Sequence, residues 1–417
     1  MKILRFPSYY EPETVSSSHL TADLERAYAA EGFEVELYAP TPTRGVSDEV
    51  RKKYKKIPYE EKLDGHIRVH RFRMGREKRN PILRAIRYIR VVLKQYRRGK
   101  RARDVDIVMG SSTPPILGIA CAKVAKKLSK KYRRHVPFVY VLQDVFPDSL
   151  STTGLARRGS LIYKIGTGIA NYIYKNADII IAISEDIKKN IMEKGVPEEK
   201  IRVIHNWINV DEVGHVEKGE NRLCEELGLD PDKFRVVYAG NLGMAQGAEV
   251  LLDAAERLRE HTDTEIVIFG TGARAETIKS RAEAMTNVRL FPLMPPERVS
   301  EVYSLGDACA VTCKRGTVGA GVPSKTWSIM ACATPLLVAF DEGSELTDTV
   351  ERAGAGLCSP AEDGEALAVN ILKLKNSPEE REKMGKAARE YAERFCSSGV
   401  ATAKYIDVLR EAAANSK

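Results

Sequence analysis

Two doubly wound α/β domains in one chain are what this sequence predicts, and three observations predict them. The chain has 417 residues, too many for one ordinary hydrophobic core. Strand-like apolar runs alternate with helical patterns along nearly all of it. The alternation breaks once, in a charged and weakly periodic stretch from Asp211 to about Lys233, and then starts again. We therefore expect a Rossmann-like domain over residues 1–207, a second over 208–396, and a cleft between them. The closing helical region, about Pro378 to Ala414, could pack on either domain by pattern alone. Its last part, about 397–417, is the part assigned back to the first domain.

Each element follows in order. "MKILRFPSYY" opens as a strand. "SSSHLTADLERAYAAEGF" has hydroxyl caps, apolar residues near the helical period, and Gly32 as a stop. "EVELYAP" alternates like a strand. "VDIVMGSS", "PFVYVLQD" and "DIIIAIS" are almost uniformly apolar, as strands of a parallel sheet buried on both faces are. This series ends near "RVIHNWINV". The second series runs "RVVYAGN", "EIVIFGTG", "VRLFPL", "ACAVTC", "PLLVAF" and "AGLCSP".

Composition narrows the function classes. Hydrophobic residues make up 43 % and charged residues 29 %, the balance of a soluble globular protein. No N-terminal apolar segment suggests a secretory signal, and no stretch approaches the roughly 18 apolar residues of a spanning helix. Seven scattered cysteines, an odd number, predict reduced thiols and a cytoplasmic location. Cys309 and Cys313 form a C-x3-C without a second ligand pair, which favours buried thiols over zinc. Charge is uneven. Residues 1–207 carry 41 Lys+Arg against 23 Asp+Glu, and residues 208–417 carry 25 against 34. The first half thus has a net +18, which predicts that it faces something acidic.

Two loops of the second half look like phosphate cradles. In "YAGNLGMAQG" a strand ends at Ala239, Gly240 and Gly243 follow, and Gly247 precedes a helical run. Glycines let a ligand approach backbone N–H groups, and a helix N-terminus adds its positive dipole end. The alternative is a tight strand-to-helix turn with no ligand. In "CKRGTVGAGVPSKTWSIMACATP", Ser324 reads as an N-cap and Lys325 falls in the first helical turn. A lysine there opposes the helix dipole unless an anion is held beside it. Otherwise it is a solvated surface lysine. Two such loops in corresponding positions favour a shared diphosphate site.

An ordered set of segments resembles the GT-B glycosyltransferases of family 4. They are "PETVSSSHLTADLERAYAAEGFEVELYAP", "DVDIVMGSSTPPILG", "VYVLQDVFPDSL", "ADIIIAISEDIKKNIMEKGVPEEKIRVIHNWIN", "YAGNLGMAQGAEVLLDAAERL", "FGTG" and "GVPSKTWSIMACATPLL". They are similar in particular to the bacterial branch containing fucosamine and colanic-acid glycosyltransferases of surface-polysaccharide assembly. The resemblance implies a nucleotide diphosphate sugar, most often a UDP-sugar, on the second domain. It implies diphosphate contacts from Gly240, Asn241, Gln246 and Lys325, a second cation from Lys314 or Arg315, further donor contacts from Ser324 and Ser328, and base contacts along "RLFPL", including Phe291 and Leu293. It places the acceptor, a glycan or lipid-linked molecule, on the first domain near Ser16, Ser17, His19, Ser111 and Asp144. It implies retention of anomeric configuration with no cofactor and no metal. The DxD strings Asp104–Asp106 and Asp230–Asp232 read as a strand start and a turn. The chain departs from many family members at Asn241 and Gln246 (Arg and Lys there), at Ala320 and Ser328 (two glutamates), at "TVSSS" (a Gly-Gly loop) and at Gln143 (a His).

The chemistry that follows is charge management. Cleaving a sugar–diphosphate bond builds negative charge on the leaving phosphate, and preorganised positive charge there is the largest lever. Lys325 and Lys314 or Arg315 are the candidates. Asp144 either orients the acceptor hydroxyl and assists its deprotonation, or caps a strand end. Two rivals share the donor site: a GT-B sugar-nucleotide epimerase and a non-catalytic nucleotide-sugar-binding subunit.

One stretch stands apart. Residues 76–103 carry 12 basic residues and one acidic. Ile82, Ile86, Ile89, Leu93 and Tyr96 recur at helical spacing, with arginines between. Either that stripe packs on the domain's own sheet beneath a solvated basic back, or the helix docks on anionic lipid. No nucleic-acid motif accompanies it.

Overall fold

In a computed structural model of the chain, the described residues are 1–13, 18–77, 80–152, 154 and 156–415. They form two compact units. Unit 1 comprises residues 1–149, 157–205 and 401–417, and unit 2 comprises 150–156 and 206–400.

Unit 1 is built on an eight-stranded sheet: β1 (Lys2–Arg5), β2 (Glu34–Pro40), β3 (Tyr59–Lys62), β4 (Ile67–Phe72), β5 (Ile107–Ser111), β6 (Phe138–Leu142), β7 (Ile179–Ala182) and β8 (Ile201–Val203). Their order is β3-β4-β2-β1-β5-β6-β7-β8, and every pair is parallel except β3 with β4. Unit 2 has six parallel strands: β9 (Phe234–Asn241), β10 (Thr264–Thr271), β11 (Val288–Phe291), β12 (Ala308–Thr312), β13 (Leu336–Phe340) and β14 (Gly356–Pro360). Their order is β11-β10-β9-β12-β13-β14. In each sheet the winding direction reverses once, between β1 and β5 and between β9 and β12. Loops leaving the strand ends there diverge and open a crevice, which is where doubly wound folds bind ligands.

Burial explains the apolar runs. Along β9, Val237 and Ala239 join one core, with Val267, Phe269, Cys309 and Val311. Val236 and Tyr238 join the other, with Ile266, Ile268, Ala308 and Ala310. Both faces are covered by helices, so alternate residues have equal need to be apolar. The closing helical region divides. Helix Pro378–Phe395 belongs to unit 2, where Arg389 donates to the carbonyls of Val210, Val213 and Ala331. Most of helix Ser398–Ala414 belongs to unit 1, where Glu411 accepts from Arg202 Nε at 3.1 Å.

Of the two readings of helix Pro81–Gly99, the one in which its aliphatic stripe packs on the sheet does not hold. Ile82, Leu83, Ile86, Ile89 and Leu93 face outward, and Ile82 is 70 % exposed. The buried positions are Arg87, Val91, Val92 and Gln95. The cause is hydrogen bonding. Gln95 Nε2 donates to the carbonyls of Pro7 at 2.8 Å and Tyr38 at 3.1 Å. Arg87 Nη2 donates to Ser8 O at 3.2 Å and Thr43 Oγ1 at 2.6 Å. Those carbonyls would otherwise be buried unpaired, at a cost of about 1–3 kcal/mol each. Val91 seals the same face against Phe72 and Met74.

Candidate functional site

The unit 2 crevice is assembled at the carboxyl ends of β9, β10 and β12. Gly240 has φ +149°, and a Cβ there would lie 3.0 Å from Lys325 Nζ. Lys325 begins the helix Lys325–Ala331. Its ammonium therefore sits directly behind the Gly240 backbone, 3.4 Å from the centroid of the Tyr238 ring. The residue is half-buried overall, but Nζ is inaccessible and has no hydrogen-bond partner. Burial pulls its pKa down from 10.5 to about 7, against the attraction of the Cys313 and Cys309 sulfurs. Sequence alone left Lys325 either a surface lysine or a ligand group. The structure makes it an interior cation whose acceptors are missing.

The surrounding loops are fastened to each other. Lys314 N donates to Ala245 O at 2.9 Å, and Thr312 Oγ1 donates to Gln246 O at 2.7 Å. A Cβ at Gly247 would meet Cys313 O at 2.8 Å, so the approach requires glycine. Asn241 Nδ2 donates to Gln246 Oε1 at 3.4 Å, which joins the two side chains at the crevice rim. Two further glycines complete the cradle: a Cβ at Gly270 would meet Gly240 O at 2.7 Å, and one at Gly272 would meet Leu242 O at 2.4 Å. The "FGTG" string thus serves close packing of β10 on the first loop.

Other expected residues stand differently. Ser324 stands at the N-cap position that the sequence suggested, but it has helical backbone angles and its hydroxyl makes no cap bond. Ser324 is exposed, and Ser328 is half-buried one turn later. Arg315 is exposed and turned toward the loop after β14, donating from Nη2 to Ala361 O at 3.3 Å. Lys314 is half-buried. Burial raises the nearby Glu249 carboxyl, but the Arg274 bond at 2.6 Å, with a lesser part from the Lys314 charge, holds it below its ordinary value. Phe291 stacks on Phe269 at 5.5 Å, while Leu293 is exposed.

Sequence reasoning missed Asp341. Its carboxylate accepts from the backbone N–H groups of Gly316 at 2.8 Å, Thr317 at 3.1 Å and Val318 at 3.4 Å. The N–H groups of the second loop's first turn are therefore held by an internal anion and are not free for phosphate. Nothing in the local pattern pairs Asp341 with a loop 24 residues earlier. The cysteines and DxD strings are structural. Cys309 is buried and Cys313 Sγ bonds Ala245 O at 3.0 Å. Asp106 accepts from Lys2 N at 2.8 Å, and Asp230 accepts from Asp232 N at 3.1 Å within its turn. Among the described residues, no cluster of three His, Cys, Asp or Glu side chains could hold a metal.

In unit 1, Ser112 rather than Ser111 organises the loop after β6. Its Oγ accepts from Gln143 N at 3.0 Å and Asp144 N at 3.1 Å. Ser111 Oγ only reaches Thr113 O at 3.5 Å. Asp144 keeps an accessible side chain, while the protein around it displaces water and pushes its carboxyl pKa up. His19 is exposed at the start of helix Ser18–Ala30. Ser16 and Ser17 lie outside the described residues. Asp148, not foreseen, is a buried carboxylate bonded by Tyr163 OH at 2.6 Å, Asn190 Nδ2 at 3.0 Å and Lys194 Nζ at 2.5 Å.

Comparison with known proteins bears on the family and the fold. The profile described as Glycosyltransferase Family 4 matches residues 18–212, and that described as Glycosyl transferases group 1 matches residues 220–391. The chain is 26 % identical to the putative colanic acid biosynthesis glycosyl transferase WcaI of Escherichia coli (strain K12), over 98 % of this chain and 100 % of that protein. Among solved structures, the sucrose-phosphate synthase of Thermosynechococcus elongatus superposes with TM-score 0.77 at 17 % identity, covering 100 % of both chains. The Anabaena protein Alr3699/HepE, solved with UDP, superposes with TM-score 0.70 at 15 % identity, over 99 % of this chain and 100 % of its own.

Proposed function

Since the chain belongs to the family 4 glycosyltransferases and has their GT-B fold, we propose that it transfers a sugar, with retention, from a UDP-sugar to a glycan or lipid-linked acceptor in surface-polysaccharide synthesis. One observation carries the donor reading: the Lys325 ammonium lies buried behind Gly240 without an acceptor. A diphosphate oxygen in the crevice would supply the missing acceptor and restore the ammonium's charge. A charge-assisted bond of this kind is worth about 1.5–3 kcal/mol, and more at the transition state, where the leaving oxygen is most negative. The names of two similar proteins support the details. HepE was solved with UDP, and WcaI is named for colanic acid biosynthesis.

Retention is proposed through same-face attack. Two acidic groups near the unit 2 crevice are engaged, Glu249 by Arg274 and Asp341 by loop amides. The leaving phosphate is then the group placed to take the acceptor's proton. Asp144, with its raised pKa, would orient the acceptor hydroxyl on unit 1. Lys325 and Lys314 would provide the neutralising charge that a metal provides elsewhere. The test is UDP release from a panel of UDP-sugars, with and without lipid-linked acceptors, in the presence of EDTA. Acceptor-dependent release, with the donor's anomeric configuration kept in the product by NMR, is expected. Release without acceptor, an inverted product, or activity only after Mn²⁺ addition would contradict the corresponding part.

A further inference from the structure

Three neighbouring helices of unit 1 form a face whose chemistry the transfer reaction does not use. They are Pro81–Gly99, Leu117–Tyr132 and Leu161–Asn176. They pack side by side: a Cβ at Gly99 would meet Val124 at 3.1 Å, and one at Gly118 would meet Ile173 at 2.8 Å. Together they contain 13 Lys and Arg and no Asp or Glu.

The outer two helices turn large aliphatic side chains to the outside. On the first these are Ile82, Leu83, Ile86, Ile89 and Leu93. On the third they are Leu161, Ile162 and Ile165, exposed by 73 %, 60 % and 56 %. Scattered exposed leucines need no explanation, but two clusters on one charged face do. Exposed cations accompany both. Arg90 and Arg97 lie beside the first cluster, and Arg157, Arg158 and Lys164 beside the second. None of these five has an acidic partner among the described residues. The middle helix adds an exposed stripe of Lys123, Lys126, Lys127 and Lys130.

Both clusters stand beyond the carboxyl ends of the strands. Gln95 already bonds the carbonyl of Pro7, which follows β1, and Arg87 bonds Ser8 two turns nearer the helix start. Residues 82–89 therefore project past the sheet edge. Gly166 packs on Pro147, which follows β6, where an added Cβ would meet the proline Cβ at 2.7 Å, so residues 161–165 project likewise. The loop holding Asp144 leaves that same edge.

We infer that this three-helix face of unit 1 docks on an anionic phospholipid surface, with the two aliphatic clusters inserted at the headgroup boundary and the cations against the lipid phosphates. A second copy of this chain is disfavoured as the occupant, because a two-fold contact would set the exposed cations of this face against one another. The docking rests on this geometry alone. Its use, presenting a lipid-linked acceptor to the Asp144 loop, rests on the proposed transferase reading.

The test is flotation of the full chain with vesicles of phosphatidylcholine, with and without phosphatidylglycerol. Wild type should float with the anionic vesicles at least about tenfold better than with neutral ones, and less in high salt. Ile86→Glu with Ile89→Glu, Leu161→Glu with Ile162→Glu, and Arg90→Glu with Arg97→Glu should each reduce recovery severalfold. All these positions are exposed, so the UDP-induced rise in melting temperature should persist and report an intact fold. Equal recovery on both vesicle types, or aliphatic variants that float like wild type, would overturn the inference. So would variants that only convert a dimer to a monomer. If wild type floats but UDP gives no melting shift, the nucleotide reading fails and the docking stands.

Discussion

Replacing Lys325 with Met should make the unliganded protein more stable at neutral to mildly alkaline pH, although the residue is proposed to bind the donor diphosphate. In the folded chain, burial holds the ammonium's pKa at about 7, against 10.5 when solvated. Between those values the unfolded chain keeps the proton and the folded chain sheds it. Folding then costs about 1.4 kcal/mol for each pH unit below 10.5, until the cost levels off near pH 7. At pH 8 the cost is about 3 kcal/mol. Met keeps most of the aliphatic stem and removes the ionisable group, at the loss of the amine's contact with the Tyr238 ring, which is weak while the amine is neutral. A net gain of about 1–3 kcal/mol at pH 8 is expected. The assay is urea unfolding of both proteins from pH 7 to 10.5, read as their difference so that other titrating groups cancel. The variant's advantage should shrink steadily as pH rises. A difference independent of pH, or a variant less stable at pH 8, would refute the buried-ammonium account.

Two further outcomes follow from the same crevice. Gly240→Ala places a Cβ 3.0 Å from Lys325 Nζ on a backbone with φ +149°, so it should lose about 1–3 kcal/mol in urea unfolding and weaken UDP binding severalfold. Asp341→Ala releases the amides of Gly316, Thr317 and Val318, which should then exchange hydrogen with solvent about tenfold faster or more while β9 and β10 keep their protection.

What the sequence made legible was what depends on local pattern. Apolar runs such as β6, β12 and β13 announce burial on both faces, because no other environment tolerates five consecutive buried residues in a strand. Gly240, Gly247 and Lys325 were legible because glycine and a misplaced charge are costly without a use. Helix Pro81–Gly99 shows the limit. Its periodicity revealed two faces but not which one was covered, since the carbonyls of Pro7, Tyr38 and Ser8 that claim Gln95 and Arg87 are distant in sequence. Asp341 and Asp148 were illegible for the same reason, their partners being fixed by strand order and not by spacing. The choice between Lys314 and Arg315 was illegible because adjacency says nothing about direction, and the Arg315 side chain follows the loop after β14.

The central claim is that a diphosphate completes the Lys325 ammonium. Calorimetric titration with UDP at pH 8, in two buffers of different ionisation enthalpy, tests it most directly. With a folded-state pKa of about 7, most Lys325 side chains are neutral before binding, so binding should draw in a large fraction of a proton. Lys325→Met should bind at least about tenfold more weakly and take up none. Binding without proton uptake in the wild type, or undiminished affinity in the variant, would contradict it.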